Sequence, residues 1–283
     1  MILLKRSLTL FFIVLANLHP LSQTVLQPEI IFSNDSTLNT GHDYLKLTIR
    51  NAPSLTVQFG VDYDYGVYEL SANDNGDLNQ EQFITGKNFG VRHGFGANIM
   101  AKYPLHKAGN LRFTSTLMYN RFTSKFNKLF VDQKEQDFVK YDVYSLSFGI
   151  EDNFNPGLKL RAFAGIGILG SIISGKAQIT DEIGTNEYSI NPAFRLGMNI
   201  YSGFEFLLSK NLGVSFGLKF THANLWLKQS NISDNPNELE LNDQKVSNGQ
   251  LYSGYRQFAW GSFGIGINYY LGVHEKEYYY RKY

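Results

Sequence analysis

The sequence predicts an all-β chain: an eight-stranded antiparallel up-and-down barrel that crosses a membrane, with short turns at one end and long loops at the other. Three observations point there. Apolar and polar residues alternate over eight long stretches, the connections between them alternate in length, and glycines share a strand face with the charges. A period of two is the mark of a strand with one dry face and one wet face. Typical soluble strands run about 5–6 residues; a tilted membrane-crossing strand needs about 9–11. These stretches are long enough to cross and rise above a bilayer.

Taken in order, residues 1–23 read as an export signal. Lys5 and Arg6 precede an apolar core from Leu8 to Leu18, with cleavage expected near Ser22 or Gln23. That core is short for a spanning helix, which needs roughly 20 residues. Residues 24–53 read as a periplasmic lead-in. Asp43 to Arg50 alternates but is short for a full crossing, so whether it adds to the barrel stays open. The barrel itself is placed at 54–271, with strands at 54–70, 88–104, 111–123, 141–154, 158–174, 192–208, 212–227 and 253–271. Segments 71–87, 124–140, 175–191 and 228–252 are long and polar, whereas Leu105–Asn110, Asn155–Gly157 and Ser209–Asn211 are short. Residues 272–283 form a periplasmic tail. Outer-membrane barrels sort their connections in this way, short ends toward the periplasm.

The glycines decide which face is inside. Gly60, Gly94, Gly96, Gly149, Gly165, Gly167, Gly203, Gly217, Gly264 and Gly266 share the parity of the charges, while only Gly170 and Gly261 fall on the apolar parity. A solvent-facing surface gains nothing from so many glycines, but the crowded lumen of an eight-stranded barrel does. Arg92, Lys102, Arg112, Lys159, Arg161, Arg195 and Lys219 lie on that parity with Glu151 and Glu205. Turning one such cation to the bilayer midplane costs about 2–4 kcal/mol. The other parity carries Phe59, Phe95, Phe113, Leu117, Leu146, Phe148 and Ile265, with Tyr63, Tyr65, Tyr119 and Tyr144 toward one end and Tyr103, Phe206 and Tyr269 toward the other. Those rings suit two interfacial girdles. Phe258 and Trp260 break the rule by sharing the inward parity, which implies a bulge near Gly261 or bulky lumen packing.

In the last strand, SFGIGINY places Ser262, Gly264, Ile267 and Tyr269 in a polar-x-Gly-x-x-hydrophobic-x-aromatic pattern. This resembles the signal read by the barrel-assembly machinery, although such signals usually close the chain and here a tail follows. From Ser54 to Leu271 the chain resembles the small bacterial outer-membrane β-barrel family, similar to the transmembrane barrel of outer membrane protein A and to porin-like barrels. The resemblance implies residence in a bacterial outer membrane, contact with its lipid and lipopolysaccharide, and the assembly machinery as a partner.

Chemistry inside the lumen centres on Arg112, Glu151, Arg161, Arg195, Glu205 and Lys219, a structural polar network that fills the cylinder. If Asn155–Gly157 forms a three-residue turn, Phe154 pairs with Leu158, and Glu151 then faces Arg161, with Arg112 and Glu205 extending the cluster. His93 and His222 fall on the lipid-facing parity near the outer interface, with no nucleophile beside them in sequence. Ser233 to Lys245 reads as a solvated surface loop, its spacing unlike a cation loop. Cysteine is absent, and no phosphate loop, zinc motif or dinucleotide fingerprint appears, so no metal, cofactor or catalytic residue is expected. A net charge of +1 implies no pull toward nucleic acid. The expected role is non-enzymatic: structural, adhesive or envelope-assembly work done by the surface loops, with an envelope or surface protein as a possible partner. The rivals are a lipid A-modifying enzyme and a narrow porin-like channel.

Overall fold

A computed structural model describes residues 29–31, 44–71, 89–106, 108–126, 137–156, 158–180, 184–230, 233–235, 237–247, 250–252 and 256–281. The export signal expected at 1–23 lies outside the described residues, as does most of the first two long loops.

Two short strands, β1 (Glu29–Ile31) and β2 (Tyr44–Arg50), precede the barrel. Its wall begins with β3 (Leu55–Val67), β4 (His93–Pro104), β5 (Leu111–Phe126) and β6 (Asp137–Phe154). It continues with β7 (Leu160–Thr180), β8 (Thr185–Leu207) and β9 (Leu212–Trp226). Three small strands in the last loop follow: β10 (Glu238–Leu239), β11 (Lys245–Ser247) and β12 (Gln250–Tyr252). The eighth wall strand is β13 (Ala259–Leu271), and β14 (Glu275–Arg281) ends the described chain. From β3 to β9 each strand pairs antiparallel with the next, and β13 bonds to both β9 and β3, so the sheet closes on itself. Closure matters because an open edge in hydrocarbon leaves backbone N–H and C=O groups without partners.

Several strand ends depart from the sequence expectation, most of all in the fifth and sixth wall strands, β7 and β8. Segment 175–191 is mostly wall rather than loop: β7 runs for 21 residues and β8 for 23, joined across 181–184. Ala177, Ile179, Tyr188 and Ile190 continue the inward apolar rhythm and are buried, which holds this tall hairpin upright. Ser174, Gly175 and Lys176 hide that rhythm in the sequence, and the β7–β8 register slips between Ile173 and Gly175. The last strand also starts later than expected, at Ala259.

Segment Tyr44–Arg50 does not join the barrel. It lies between β1 and β14 in a separate three-stranded sheet, with Arg50 opposite Glu275 and Tyr44 opposite Arg281. Two backbone bonds, Asn51 N–H to the His274 carbonyl (3.0 Å) and Ser54 N–H to the Leu271 carbonyl (2.9 Å), carry the β3–β13 seam toward it. Between them the chain turns at Gly272, whose φ of +67° is open to glycine at little cost.

Candidate functional site

The wall has two opposite faces. Outward on the strands stand Phe59, Phe95, Leu117, Phe148, Phe204 and Ile265, each with about half or more of its surface exposed. Inward stand Lys102, Arg112, Glu151, Arg161 and Glu205, none more than 4 % exposed. Tyr119 and Tyr144 meet ring to ring on the outside at 4.9 Å, toward the long-loop end, and Tyr103 and Tyr269 stand exposed toward the other. A soluble protein hides its large apolar side chains and wets its charges; this wall does the reverse. The chain is a small β-barrel of the outer-membrane type. In that setting the short turns point to the periplasm and the long loops outward.

No known protein-family model matches the chain, and no curated protein matches its sequence. Among solved structures it is similar to Neisserial surface protein A, at 13% identity and a TM-score of 0.42, covering 77% of this chain and 97% of that one. It is also similar to Ail, the attachment invasion locus protein of Yersinia pestis, at 11% identity and a TM-score of 0.39, covering 79% and 99%. A third is the N-terminal β-barrel domain of Pseudomonas aeruginosa OprF, at 11% identity and a TM-score of 0.33, covering 77% and 98%.

The lumen of this outer-membrane-type barrel is filled in layers. At the periplasmic end, Lys102 Nζ lies 3.2 Å from Glu151 and 3.8 Å from Glu205. Arg112 pairs with Glu151 and reaches Glu205 at 3.5 Å, and Arg161 reaches Glu205 at 3.5 Å. Tyr270 donates its hydroxyl to Glu205 at 2.7 Å. Glu151 therefore faces Arg112 across β5–β6, and Arg161 faces Glu205 across β7–β8; the Glu151–Arg161 pair expected from a tight turn does not form. The cause is the connection after Phe154. Asn155 adopts a left-handed φ of 60° and its carbonyl accepts the Leu158 N–H, so Phe154 pairs with Ala162 instead of Leu158. A four-residue shift keeps parity, so Arg161 still points inward. Lys159, expected inside, is exposed in that turn before β7 begins.

A second layer sits above the first. Lys219 donates to Asp62 at 2.7 Å and Asn98 donates to the same carboxylate at 2.8 Å. Asp64 accepts from Asn120 at 2.7 Å and from Ser262 at 2.6 Å. Thus Ser262 and Gly264 of the candidate assembly signal face the lumen, where a Cβ at Gly264 would strike Asp62, while Ile267 and Tyr269 face outward. Crowding explains other inward glycines too: a Cβ at Gly165 would meet the Tyr201 ring, and one at Gly94 the Phe122 ring.

Higher still the interior is apolar, over a wider stretch than the two inward aromatics Phe258 and Trp260 that the sequence placed there. Phe89, Phe122, Tyr141, Phe258 and Trp260 form a buried aromatic plug, with ring centres 5.1 Å apart for Phe89–Phe258 and 5.2 Å for Phe122–Trp260. The inward parity of Phe258 and Trp260 is bulky lumen packing. Over the plug folds the last loop. Asp243 is fully buried and accepts from Arg195 Nε at 2.8 Å, Arg195 Nη2 at 3.0 Å, Asn224 at 2.9 Å and the Gln229 backbone N–H at 3.0 Å. Leu241 packs beneath it, and β10 adds in parallel to β8 at Ser189 and Ile190. The segment expected as a solvated loop is therefore divided: Asp234, Asn235, Asn237 and Glu238 are exposed, whereas the chain from Leu239 to Gln244 folds in as a stopper for the mouth, with Leu241 and Asp243 buried. Lys228, half-buried beside it, donates to the Arg256 carbonyl at 2.9 Å, and burial pushes its ammonium below the ordinary lysine value.

The six interior residues singled out from the sequence thus fall into three groups. Arg112, Glu151, Arg161 and Glu205 meet; Lys219 belongs to the middle layer; Arg195 belongs to the stopper. Sequence reasoning missed Asp243 because its partners lie on other strands and its neighbours read as loop. Of the histidines, His93 Nδ1 lies 2.6 Å from the Tyr63 hydroxyl, and His222 is buried beside Asn224 and Lys228.

Proposed function

We propose that this protein is a closed, non-catalytic barrel whose outer end is a platform for envelope or surface partners. The observation that carries the reading is the stoppered lumen: an ionic layer, a polar layer, an aromatic plug and a folded loop stand in series along one narrow cylinder. Space for conduction is what an eight-stranded barrel lacks already. Binding then belongs to the outer rim, where β7 and β8 rise above the girdle and the fourth loop is braced by Asp243. Rigid scaffolds with variable loops commonly place recognition there. The assembly machinery is its expected partner during insertion, through the Ser262–Tyr269 segment.

The enzyme rival needs an activated group beside His93 or His222. Among the described residues, the partner of His93 is a tyrosine hydroxyl and the side-chain neighbours of His222 are an amide and a lysine.

Two measurements test the reading. Purified protein in planar bilayers at high salt is expected to give no conductance steps; regular steps would favour the channel. On the surface of a non-adherent bacterium, the intact chain is expected to promote cell–cell or cell–matrix adhesion. A variant with residues 175–191 replaced by a short turn is expected to insert but lose that adhesion. Equal adhesion by both would overturn the platform.

A further inference from the structure

Directly above the Tyr119–Tyr144 contact, the outside of the wall changes from apolar to basic. Arg121 on β5, Asp142 on β6 and Ser174 on β7 form one row of cross-strand neighbours. The next row outward is Thr123, Lys140, Lys176 and Ser189, one residue from each of four adjacent strands. All lie on the outward parity, because Phe122, Val139, Tyr141, Ala177, Tyr188 and Ile190 between them are buried inside. One row further, Lys125 and Glu187 stand exposed on β5 and β8.

The carboxylates do not saturate these cations. Asp142 accepts from Arg121 Nε at 2.7 Å and from the Tyr119 hydroxyl at 2.6 Å, and lies 3.3 Å from Lys140. It is thereby committed to two cations at once. Lys176 stands opposite Lys140 in the ladder, and among the described residues it forms no ion pair. Like charges directly opposite on one sheet face repel. Among the described residues two more carboxylates stand near, both solvent-exposed: Glu187, one row up on the neighbouring strand, and Glu238 of β10, beyond Ser189 in the same row. The wall therefore holds two lysines side by side, flanked by Thr123 and Ser189 hydroxyls, four residues beyond the Tyr119–Tyr144 ring pair toward the long-loop end.

We propose that this outward patch binds the phosphorylated headgroup of an outer-leaflet lipid, with Lys140 and Lys176 sharing a phosphate, Thr123 and Ser189 supplying hydroxyl donors, and the acyl chains lying down the apolar belt below. The site rests on the membrane-embedded reading of the barrel. An anion between the two lysines converts their repulsion into two attractive contacts. Arg121, held over the Tyr119 ring at 5.7 Å and bonded to Asp142, marks the lower border. The occupant is a lipid rather than a free phosphate because the patch adjoins the apolar wall without a polar gap.

The test uses the full chain in phosphatidylcholine nanodiscs. Bis-phosphorylated lipid A, the same lipid after dephosphorylation, and inorganic pyrophosphate are titrated against wild type, Lys140→Gln/Lys176→Gln, and the control Lys210→Gln in a short periplasmic turn. Each cation facing an anionic headgroup contributes about fivefold in affinity. The double variant is expected to lose roughly 25-fold for bis-phosphorylated lipid A. Dephosphorylated lipid and pyrophosphate are expected to bind weakly to every form, and Lys210→Gln to match wild type. Equal affinity of wild type and double variant for the phosphorylated lipid overturns the site. So does pyrophosphate binding as tight as the lipid, which would mark a free-anion site. Failure of the wild type to enter nanodiscs at all would instead sink the membrane reading on which the site depends.

Discussion

Glu205→Ala is expected to cost about 3–5 kcal/mol, the range for stripping one partner from a buried ionic cluster. The reason is the number of groups that converge on one carboxylate. Lys102, Arg112, Arg161 and the Tyr270 hydroxyl all approach Glu205, and all are buried in the narrow end of the lumen. Without it, three cations share the single carboxylate of Glu151, and Arg161 loses its cross-strand partner. Water has little room to re-solvate them there. Urea titration of protein refolded into lipid vesicles measures the loss, together with the fraction that keeps the compact, heat-modifiable form on gels. Exposed Glu238 in the last loop is the matched control, where Glu238→Ala is expected to fall within about 0.5 kcal/mol of wild type. A Glu205→Ala chain as stable as that control would mean that the lower lumen is wet and the ionic layer is not structural.

Trp260→Ala is expected to cost a similar amount, about 3–5 kcal/mol, for a different reason. Trp260 is fully buried at the centre of the plug, against Phe122 at 5.2 Å and Phe258 at 6.1 Å. Removing the indole leaves a hole that the rigid wall cannot collapse into, because position 260 is held between ladders to Gly66 on β3 and Thr221 on β9. The same vesicle titration reads the effect. Conductance is expected to stay absent in Trp260→Ala, since the ionic and polar layers below remain closed. A smaller, lipid-compatible change on the outer face, Phe216→Leu, is expected to alter stability far less. Should Trp260→Ala prove as mild, the plug contributes little and the upper lumen is loosely packed.

How far these features can be read from the sequence depends on how local they are. Parity is local: two residues suffice to tell inside from outside, so the inward Arg112, Glu151, Arg161 and Glu205 and the outward Phe59 and Phe148 were legible. Register is less so. It hinges on how many residues the chain spends between strands, and the left-handed Asn155 followed by an extended turn moved Glu151 from Arg161 to Arg112. Long-range capture is not legible at all. Asp243 sits in a run of Asn, Glu and Asp that reads as solvated, and only the folded mouth reveals Arg195 and Asn224 waiting for it. The tall hairpin lies between these cases. Its inward Ala177, Ile179, Tyr188 and Ile190 alternate correctly, but the polar Ser174–Lys176 stretch and a slipped register interrupt the rhythm.

Lipid surrounds the wall while the interior stays apart from it, and the chain carries its own probes for that arrangement. Of its two tryptophans, Trp226 is exposed on the outer face and Trp260 is buried in the lumen. Fluorescence of the single-tryptophan variants Trp260→Phe and Trp226→Phe, refolded into vesicles of ordinary or brominated phosphatidylcholine, separates the two faces. Brominated chains are expected to quench Trp226 strongly and to leave Trp260 nearly untouched. Strong quenching of Trp260 with Trp226 spared would contradict the account, because it would put the lipid on the other side of the wall.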